Sequence, residues 1–551
     1  MVKIISLSGF GKVTTNMFVY ETEKDILLVD CGVGFPTEEM LGVDLLIPDI
    51  DYLMDKKDKI RGLVLTHAHD DHIGALPYIL PRLPSIPIYG SRWALAVAGE
   101  KLRESSVGAK LIEINFQNPG NKIYLGDFKI SAVEVTHSIP ETLHLVIETP
   151  VGVIYHAADF KMDLTPVMGR PTDQKRVAEI GKRGVLCLLS DCLRAERPGF
   201  TPSEKNLGEV FEREITDCKG RFLVTTMSSN ISRFKQAIEV SVKHGRKIVL
   251  VGRSVEKNIE MALKLGYLNF PKDVFLGIKQ IDQVPPSKIT LLVAGSQAQA
   301  GSALERIVSG DHEIKIAPDD KIVFSTDYIP GNELAINELI DNILRAGAEV
   351  SYVNINSDIH VSGHGAASDL KKLIELVKPK YFLPIGGNYR HMIAYQKLAV
   401  GLGYKKENVL LPDGNQMIEL DDSKTAKILP EVRLGTVIID ALGVGDVGNV
   451  VLRDRQVLSQ EGMVVAVILL NRSTGEIIND PEIISRGFVY VKDSEELLNQ
   501  ARRQIRLILK NAQNRRVGLR ILREDIQASL EKMFLTKTGR RPMVLSQIIE
   551  V

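Results

Sequence analysis

The chain has 551 residues, 44% hydrophobic and 25% charged, which is globular composition and excludes fibrous and disordered classes. At roughly 150 residues per domain, three or four domains are expected. Lys plus Arg equals Asp plus Glu at 69 each, so the net charge of zero points to no anionic partner by itself.

The opening MVKIISLSGFGK alternates like a strand and lacks the long apolar region of a signal peptide. No apolar run reaches the roughly 18 residues of a membrane span. Cys31, Cys187, Cys192 and Cys218 are scattered without a CxxC pair, as suits a reducing compartment and argues against a thiolate zinc site. The expectation is a cytoplasmic protein with no membrane partner.

The first 160 residues read as strands: VKIISLSG, MFVYET, DILLVDCG, RGLVLTH, IPIYGS, FKISAVEVTH, LHLVIET and GVIYHAADF. IGALPYILPRL and RWALAVAGEKLRES interrupt them as helices. An α/β layered domain follows. From Lys205 to about 350, strand and helix alternate: RFLVTTMSS then RFKQAIEVSVKHG, KIVLVGRS then VEKNIEMALKLG, KITLLVAGS, and KIVFSTDYIPG then NELAINELIDNILRAG. That order implies parallel βαβ units in an inserted domain. Beyond Val353 the first domain's character returns with VNINSDIHVSGHG, DLKKLIELV and KPKYFLPIGG. After Asp454 a small α+β domain is expected, with strands in EGMVVAVILL and SRGFVYV and one long basic helix. From Ala501 to Arg541 twelve Lys/Arg stand against Glu524, Asp525 and Glu531, a stripe that suits a phosphate backbone or a solvated face. The expected boundaries are 1–204, 205–350, 351–454 and 455–551.

The chemistry concentrates in Thr66-His67-Ala68-His69-Asp70-Asp71-His72, directly after the apolar Leu63-Val64-Leu65. Imidazole nitrogen and carboxylate oxygen bind zinc-type ions at about 2.0–2.2 Å, and a catalytic site leaves one position to water. Alternating ligands on a loop between strand and helix can divide between two neighbouring ions. Further ligands must come from other strand ends, and His137 (SAVEVTH) and Asp159 (GVIYHAAD) stand at such ends.

HxHxDH, a later His and a later Asp resemble the pattern of the metallo-β-lactamase superfamily, an αββα sandwich with two metals at one end. The rest of the chain resembles the ribonuclease J family, which carries an inserted β-CASP domain: GVDLLIPD, THSIP, DFKMD, AERPGFTPSE, SSNISR, GRSVEKN, IPGNE, HVSGHG, VGNVVLRDR, ISRGFVYV and GRRPM occur in one order. The implied fold is α/β, that sandwich with an inserted β-CASP α/β domain and a small C-terminal α+β domain. By motif match the resemblance implies that His67, His69, His137 and Asp159 hold one metal, with Asp159 bridging to a second held by Asp71 and His72. Zn2+ is implied, with Mn2+ or Mg2+ as alternatives. His360-Val361-Ser362-Gly363-His364 resembles the segment that grips the substrate phosphate, His364 being a donor to developing charge or to the leaving oxygen. Ser229-Asn230-Ile231 resembles a second phosphate contact, and also reads as a helix N-cap. Asp191 matches an acidic residue near the metals that orients a ligand or relays protons.

One stretch departs from the resemblance. The family's last metal ligand is a His in a segment resembling P-x-H-G-E-Y-R, whereas this chain has Pro384-Ile385-Gly386-Gly387-Asn388-Tyr389-Arg390. Gly386 cannot coordinate through a side chain, and His391 lies too far along to substitute without rebuilding the turn. Cys192-Leu193-Arg194 and Gln299-Ala300 also differ from the family. The implied function is a metal-dependent ribonuclease acting on single-stranded RNA, 5′ to 3′ and also internally, as a homodimer or homotetramer assembled through the C-terminal domain. The alternative is a catalytically weakened RNA-binding subunit that partners a related ribonuclease. The resemblance also implies a structural divalent ion near Asp49 and Asp446.

Overall fold

The computed structural model describes every residue except 38, 119, 441–442, 446–447, 490–493 and 514–517, so Asp446, Tyr490 and Val491 lie outside the described residues. The chain forms two compact units, 1–35 with 46–437, and 36–45 with 438–551.

The first unit begins with two sheets packed face to face. In one, Val2–Ser6, Phe18–Glu21 and Ile26–Val29 pair antiparallel in sequence, and Ile26–Val29 then runs parallel to Ile60–Val64. In the other, Phe128–Val135, Thr142–Thr149 and Gly152–Ala157 form an antiparallel meander, extended in parallel by Cys187–Asp191 and Tyr381–Ile385. Residues from the inner faces, among them Ile4, Tyr20, Leu27, Val29, Ile130, Leu145, Ile147 and Leu189, bury one continuous core between the sheets. Each large aliphatic side chain buried there contributes about 1.5–3 kcal/mol. Helices Gln174–Lys182, Ala367–Val377 and Tyr389–Gly401 cover the outer face of the second sheet through Val177, Leu370, Leu373, Met392 and Tyr395. Helix Arg92–Glu104, capped by Ser91 accepting from Ala94 N at 3.3 Å, lies against Pro87–Gly90 of the first sheet. The layers are therefore αββα. The stretch IGALPYILPRL is not one helix, because Pro77 and Pro81 divide it into Leu76–Ile79 and a 3₁₀ turn Leu80–Arg82.

Within the same unit a five-stranded sheet is all parallel, in the order Lys247–Val251, Ile289–Val293, Phe222–Thr225, Lys321–Phe324, Glu349–Ser351. Its core joins Leu223, Val249, Leu291, Ile322 and Phe324 to helix residues Ile336, Leu339 and Ile343. Helix Ile231–Lys243 follows Phe222–Thr225 and carries Asn230 at its N-cap.

In the second unit Met463–Leu470 pairs antiparallel with Glu482–Arg486 and parallel with Met543–Glu550. Met463–Leu470 alternates buried and half-buried positions, with Val464, Ala466, Ile468 and Leu470 packed against Leu498, Ile505, Ile526, Leu530 and Phe534. The one long basic helix expected here is instead two helices, Glu495–Gln513 and Leu519–Thr538, the second entered at Gly518. Several stripe cations are neutralised: Arg503 pairs with Glu496, Arg520 with Glu524 and Arg541 with Glu531, and Arg506 pairs with Asp480. Among the described residues no helix is long and apolar enough to cross a membrane.

Candidate metal centre

Strand direction decides which residues meet. Phe128–Val135, Gly152–Ala157, Cys187–Asp191 and Tyr381–Ile385 all run one way in their sheet, as Ile26–Val29 and Ile60–Val64 do in theirs. Their carboxyl ends deliver His137, Asp159, Asp191, Gly386, Asp30 and the His67–His72 stretch. The residues after Ile60–Val64 turn into the short helix Asp70–Ile73.

Asp159 Oδ2 is the hub of the resulting cluster. It lies 3.5 Å from His72 Nε2, 3.6 Å from His67 Nε2, 3.8 Å from His137 Nε2 and 3.9 Å from His364 Nε2. His69 Nδ1 sits 3.0 Å from His67 Nε2 and 3.1 Å from His137 Nε2. Two donors bound to one tetrahedral ion are separated by about 3.4 Å, so these spacings fit a divalent metal. Among the described residues, three sets offer donor atoms within 4.8 Å of one another: His67, His69, His137 and Asp159; Asp71, His72 and Asp159; and Asp159, Asp191 and His364.

The far side of each ring fixes its tautomer. His72 Nδ1–H donates to Asp30 Oδ2 at 2.7 Å, His137 Nδ1–H to Gly363 O at 2.8 Å and His364 Nδ1–H to Asp191 Oδ2 at 2.8 Å. His67 Nδ1 is 3.0 Å from Thr66 Oγ1, which itself donates to Asp30 Oδ2 at 2.8 Å. Four Nε2 atoms are thereby turned inward, the arrangement by which outer partners orient metal-binding imidazoles. Gly363 is required by close approach, since a Cβ there would fall 2.8 Å from His137 Cε1 and 2.7 Å from Ser138 Oγ.

The electrostatics ask for a cation. Among the described residues, every ion pair that Asp30, Asp71, Asp159 and Asp191 make is with a histidine. Burial disfavours charge on His67 and His137, and neighbouring imidazoles add to it, holding both well below the usual imidazole range. Burial likewise takes His69 down to about 4. Burial also opposes protonation of His364, but Asp191 and Asp159 outweigh it and push the ring up to about 9. At His72 burial is again overcome, by Asp71, Asp159 and Asp30, and the ring is raised well above its usual range. Asp71 is pushed up to about 6 by burial, whereas His364 and His72 overcome burial at Asp159 and hold it well below the carboxylate range. Buried carboxylates without a lysine or arginine are costly unless a metal or a proton balances them.

The remaining sequence-predicted residues are distributed around this cluster. His360 accepts from Arg233 Nη1 at Nδ1, 3.0 Å away, and Val361 O accepts from Arg233 Nη2 at 2.8 Å. Ser362 Oγ accepts from His364 N at 3.2 Å. Ser229 is half-buried, and Asn230 caps its helix by accepting from Arg233 N at 3.1 Å. Ile231 has a fully buried side chain, and its N–H donates to Ser229 O at 2.9 Å. His391 accepts from Asn388 N at 3.1 Å and lies 3.6 Å from Glu196, which leaves it no part in the cluster. Three residues were not found from the sequence. Asp30 closes the strand stretch DILLVDCG, Asn16 Nδ2 sits 3.2 Å from His72 Nε2, and Arg233 ties the inserted helix to the His360 segment. The acid at the end of an apolar strand was the available signal for Asp30.

Family models match along the chain: metallo-beta-lactamase superfamily over 10–167, ribonuclease J beta-CASP domain over 219–343, Zn-dependent metallo-hydrolase RNA specificity domain over 352–412 and ribonuclease J C-terminal domain over 450–551. The chain is 37% identical to Ribonuclease J2 of Bacillus subtilis (strain 168), covering 100% of this chain and 99% of that protein. It is 37% identical to Ribonuclease J 1 of Streptococcus pyogenes, over 100% and 97% of the two chains, and 34% identical to Ribonuclease J 2 of Staphylococcus aureus, over 100% and 98%. A crystal structure of a protein of unknown function from Enterococcus faecalis V583 shares the fold at TM-score 0.52 and 15% identity, covering 78% of this chain and 100% of that one.

Proposed function

The chain belongs to the ribonuclease J family, and from that premise we propose that it is a metal-dependent ribonuclease hydrolysing phosphodiester bonds of single-stranded RNA, 5′ to 3′ and also internally. The observation that carries this reading is the convergence of four inward-facing Nε2 atoms on Asp159 Oδ2. We assign His67, His69, His137 and Asp159 to one ion and Asp71, His72 and Asp159 to a second, with Zn2+ favoured by the nitrogen and oxygen donors and Mn2+ or Mg2+ as substitutes. Ions bound there would activate water at neutral pH and neutralise the attacked phosphate.

The chain's own groups do the rest. Asp71 and Asp159 carry the negative charge that holds the cations, and Asp30 and Thr66 keep the rings in register. Ser229 and Asn230 from the inserted domain, with the His360–Gly363 segment, grip the substrate phosphate. Arg233 joins the two grips. His364, its ring held by Asp191, faces the developing charge. We assign 1–204 and 351–454 to the sandwich and its return, 205–350 to the inserted domain and 455–551 to oligomerisation and RNA contact. A homodimer or homotetramer is supported by the exposed Ile484, Leu545 and Ile549 of the C-terminal sheet, and a cytoplasmic site by four buried free thiols.

The test is release of mononucleotide from 5′-monophosphorylated single-stranded RNA with added zinc, manganese or magnesium, beside a His69→Ala variant. Metal-dependent release that the variant loses is expected. A second reading, a weakly catalytic RNA-binding subunit of a ribonuclease J complex, is favoured by Gly386 alone. Release no greater than the variant's with every metal would move the conclusion to it.

A further inference from the structure

Arg194 falls in Cys192-Leu193-Arg194, where the chain departs from its family, on the loop that leaves Cys187–Asp191 at its carboxyl end. The loop is fixed by its own backbone. Leu193 N donates to Asp191 Oδ1 at 2.9 Å, Ala195 N to Cys192 O at 3.0 Å and Arg197 N to Arg194 O at 3.0 Å. A parallel bridge then sets Arg194 beside Ala366, which follows closely on His364. Thr201 Oγ1 ties that segment down, donating to His364 O at 2.8 Å and accepting from Ala366 N at 3.0 Å. Arg194 is thereby placed next to the stretch His360–His364.

Three cations act on His360. Burial first, then Arg233, Arg194 and Lys161, hold its ring well below the usual imidazole range. Two of the three are already engaged. Arg233 forks onto Glu204 and donates to Ser325 O and Val361 O, while Lys161 donates to Pro202 O at 3.2 Å with Asp163 and Glu204 each 3.7 Å away. Arg194 differs. Among the described residues its guanidinium enters no ion pair, and its Nε is buried without a hydrogen-bond partner. Burial and Arg197 disfavour its charge, and Asp327, Asp191 and Asp369 favour it from beyond pairing distance. A guanidinium stays charged in a protein all the same. A half-buried planar fork with free donors matches a phosphate, which accepts two parallel N–H bonds.

We propose that Arg194 is a substrate-contacting residue, its guanidinium binding a phosphate of the RNA strand alongside the His360–Gly363 grip. The inference rests on reading the chain as a ribonuclease that binds single-stranded RNA. Its phosphate is an internal diester or the 5′-terminal monoester, which share this chemistry.

The experiment follows the fluorescence anisotropy of a labelled single-stranded RNA, with and without a 5′-monophosphate, on the full-length chain carrying His69→Ala to stop cleavage. Adding Arg194→Gln should weaken binding about tenfold and flatten the slope of log affinity against log salt by about 0.7, the share of one phosphate contact on a single strand. Arg194→Lys, which keeps the charge and loses the fork, should restore the slope and part of the affinity. A loss confined to the 5′-monophosphorylated strand assigns the terminal phosphate, and an equal loss on both strands assigns a diester. Unchanged affinity and slope with Arg194→Gln would overturn the proposal. So would weaker binding at an unchanged slope, which a merely structural arginine gives, or full affinity with Arg194→Lys. Failure of the ribonuclease reading looks different: the chain without His69→Ala then releases no mononucleotide with any metal, while the Arg194 comparison still reads out.

Discussion

His72 donates Nδ1–H to Asp30 Oδ2 at 2.7 Å, and Asp30 reaches that position from a left-handed backbone at φ +60°. The same carboxylate accepts from Thr66 N at 2.7 Å and from Thr66 Oγ1 at 2.8 Å, so it fixes the first and last residues of the ligand stretch at once. A left-handed aspartate costs about 1–2 kcal/mol and persists only where its surroundings hold it. Asp30→Asn keeps the backbone tolerance and one acceptor but loses the charge behind the His72 ring. We predict a drop of about 10–100-fold in metal affinity and in RNA cleavage, with the fold retained. Metal titration and cleavage rates check it, and parity with the unchanged chain in both would refute it.

Arg233 is buried in the first turn of its helix and bonded on every side. Its Nε and Nη2 donate to the Glu204 carboxylate at 3.0 and 3.1 Å, Nη1 donates to Ser325 O at 2.7 Å, and Nη2 to Val361 O at 2.8 Å. Arg233→Met would leave Glu204 buried with Lys161 as its remaining charge partner, 3.7 Å away. Breaking a buried pair in this way costs about 3–5 kcal/mol. Arg233→Lys should fall between, because an ammonium cannot make the forked contact. Urea unfolding measures the loss, and a Met variant that unfolds at the unchanged midpoint would contradict it. The KM for RNA should also rise, since the His360 segment loses its anchor.

Periodicity made much of this fold legible. The apolar runs of the first 160 residues are strands, and the strand-helix alternation after Lys205 is a parallel sheet, because a buried parallel strand is largely apolar on both faces, as Ile289, Leu291, Leu292 and Val293 are. The HxHxDH stretch announced itself through density of ligand types alone. Asp30 did not, since one acid after an apolar strand reads as an ordinary strand end until the fold brings His72 beneath it. Arg233 was equally silent: a cation near a helix start looks solvent-facing, and only the tertiary fold supplies Glu204 and Val361. The break between the two C-terminal helices was missed because basic residues continue across it and Gly518 is a weak mark by itself.

Glu134 lines a cavity of about 160 Å³ with Glu141, Arg170 and Tyr267. Burial, with Glu141 adding to it and Arg170 opposing, raises its carboxyl from 4.5 to about 7. Between those values the folded chain holds a proton that the unfolded chain has released, so stability falls as pH rises through that interval and levels off above it. Glu134→Gln removes this slope. The variant should melt at a higher temperature than the unchanged chain at pH 8 and show no advantage at pH 4.5. Thermal unfolding across that range decides, and a constant difference at every pH would show that the carboxyl does not titrate in the interval.

Gly386→His tests what the open position costs. The new Cβ meets only ordinary contacts, 3.6 Å from Asp191 Oδ1 and 3.8 Å from Asp159 Oδ1, so the ring has a way into the cluster. The backbone at φ +65° resists it, because an L side chain in that conformation costs about 1–2 kcal/mol. Two opposite effects are therefore expected from one substitution. Without metal the variant should melt at a lower temperature than the unchanged chain. With metal it should hold the second ion at least about tenfold more tightly and cleave RNA faster, since an added imidazole donor strengthens binding. A variant that loses stability and gains nothing in metal affinity or rate would show that the space beside Gly386 is not part of the working site.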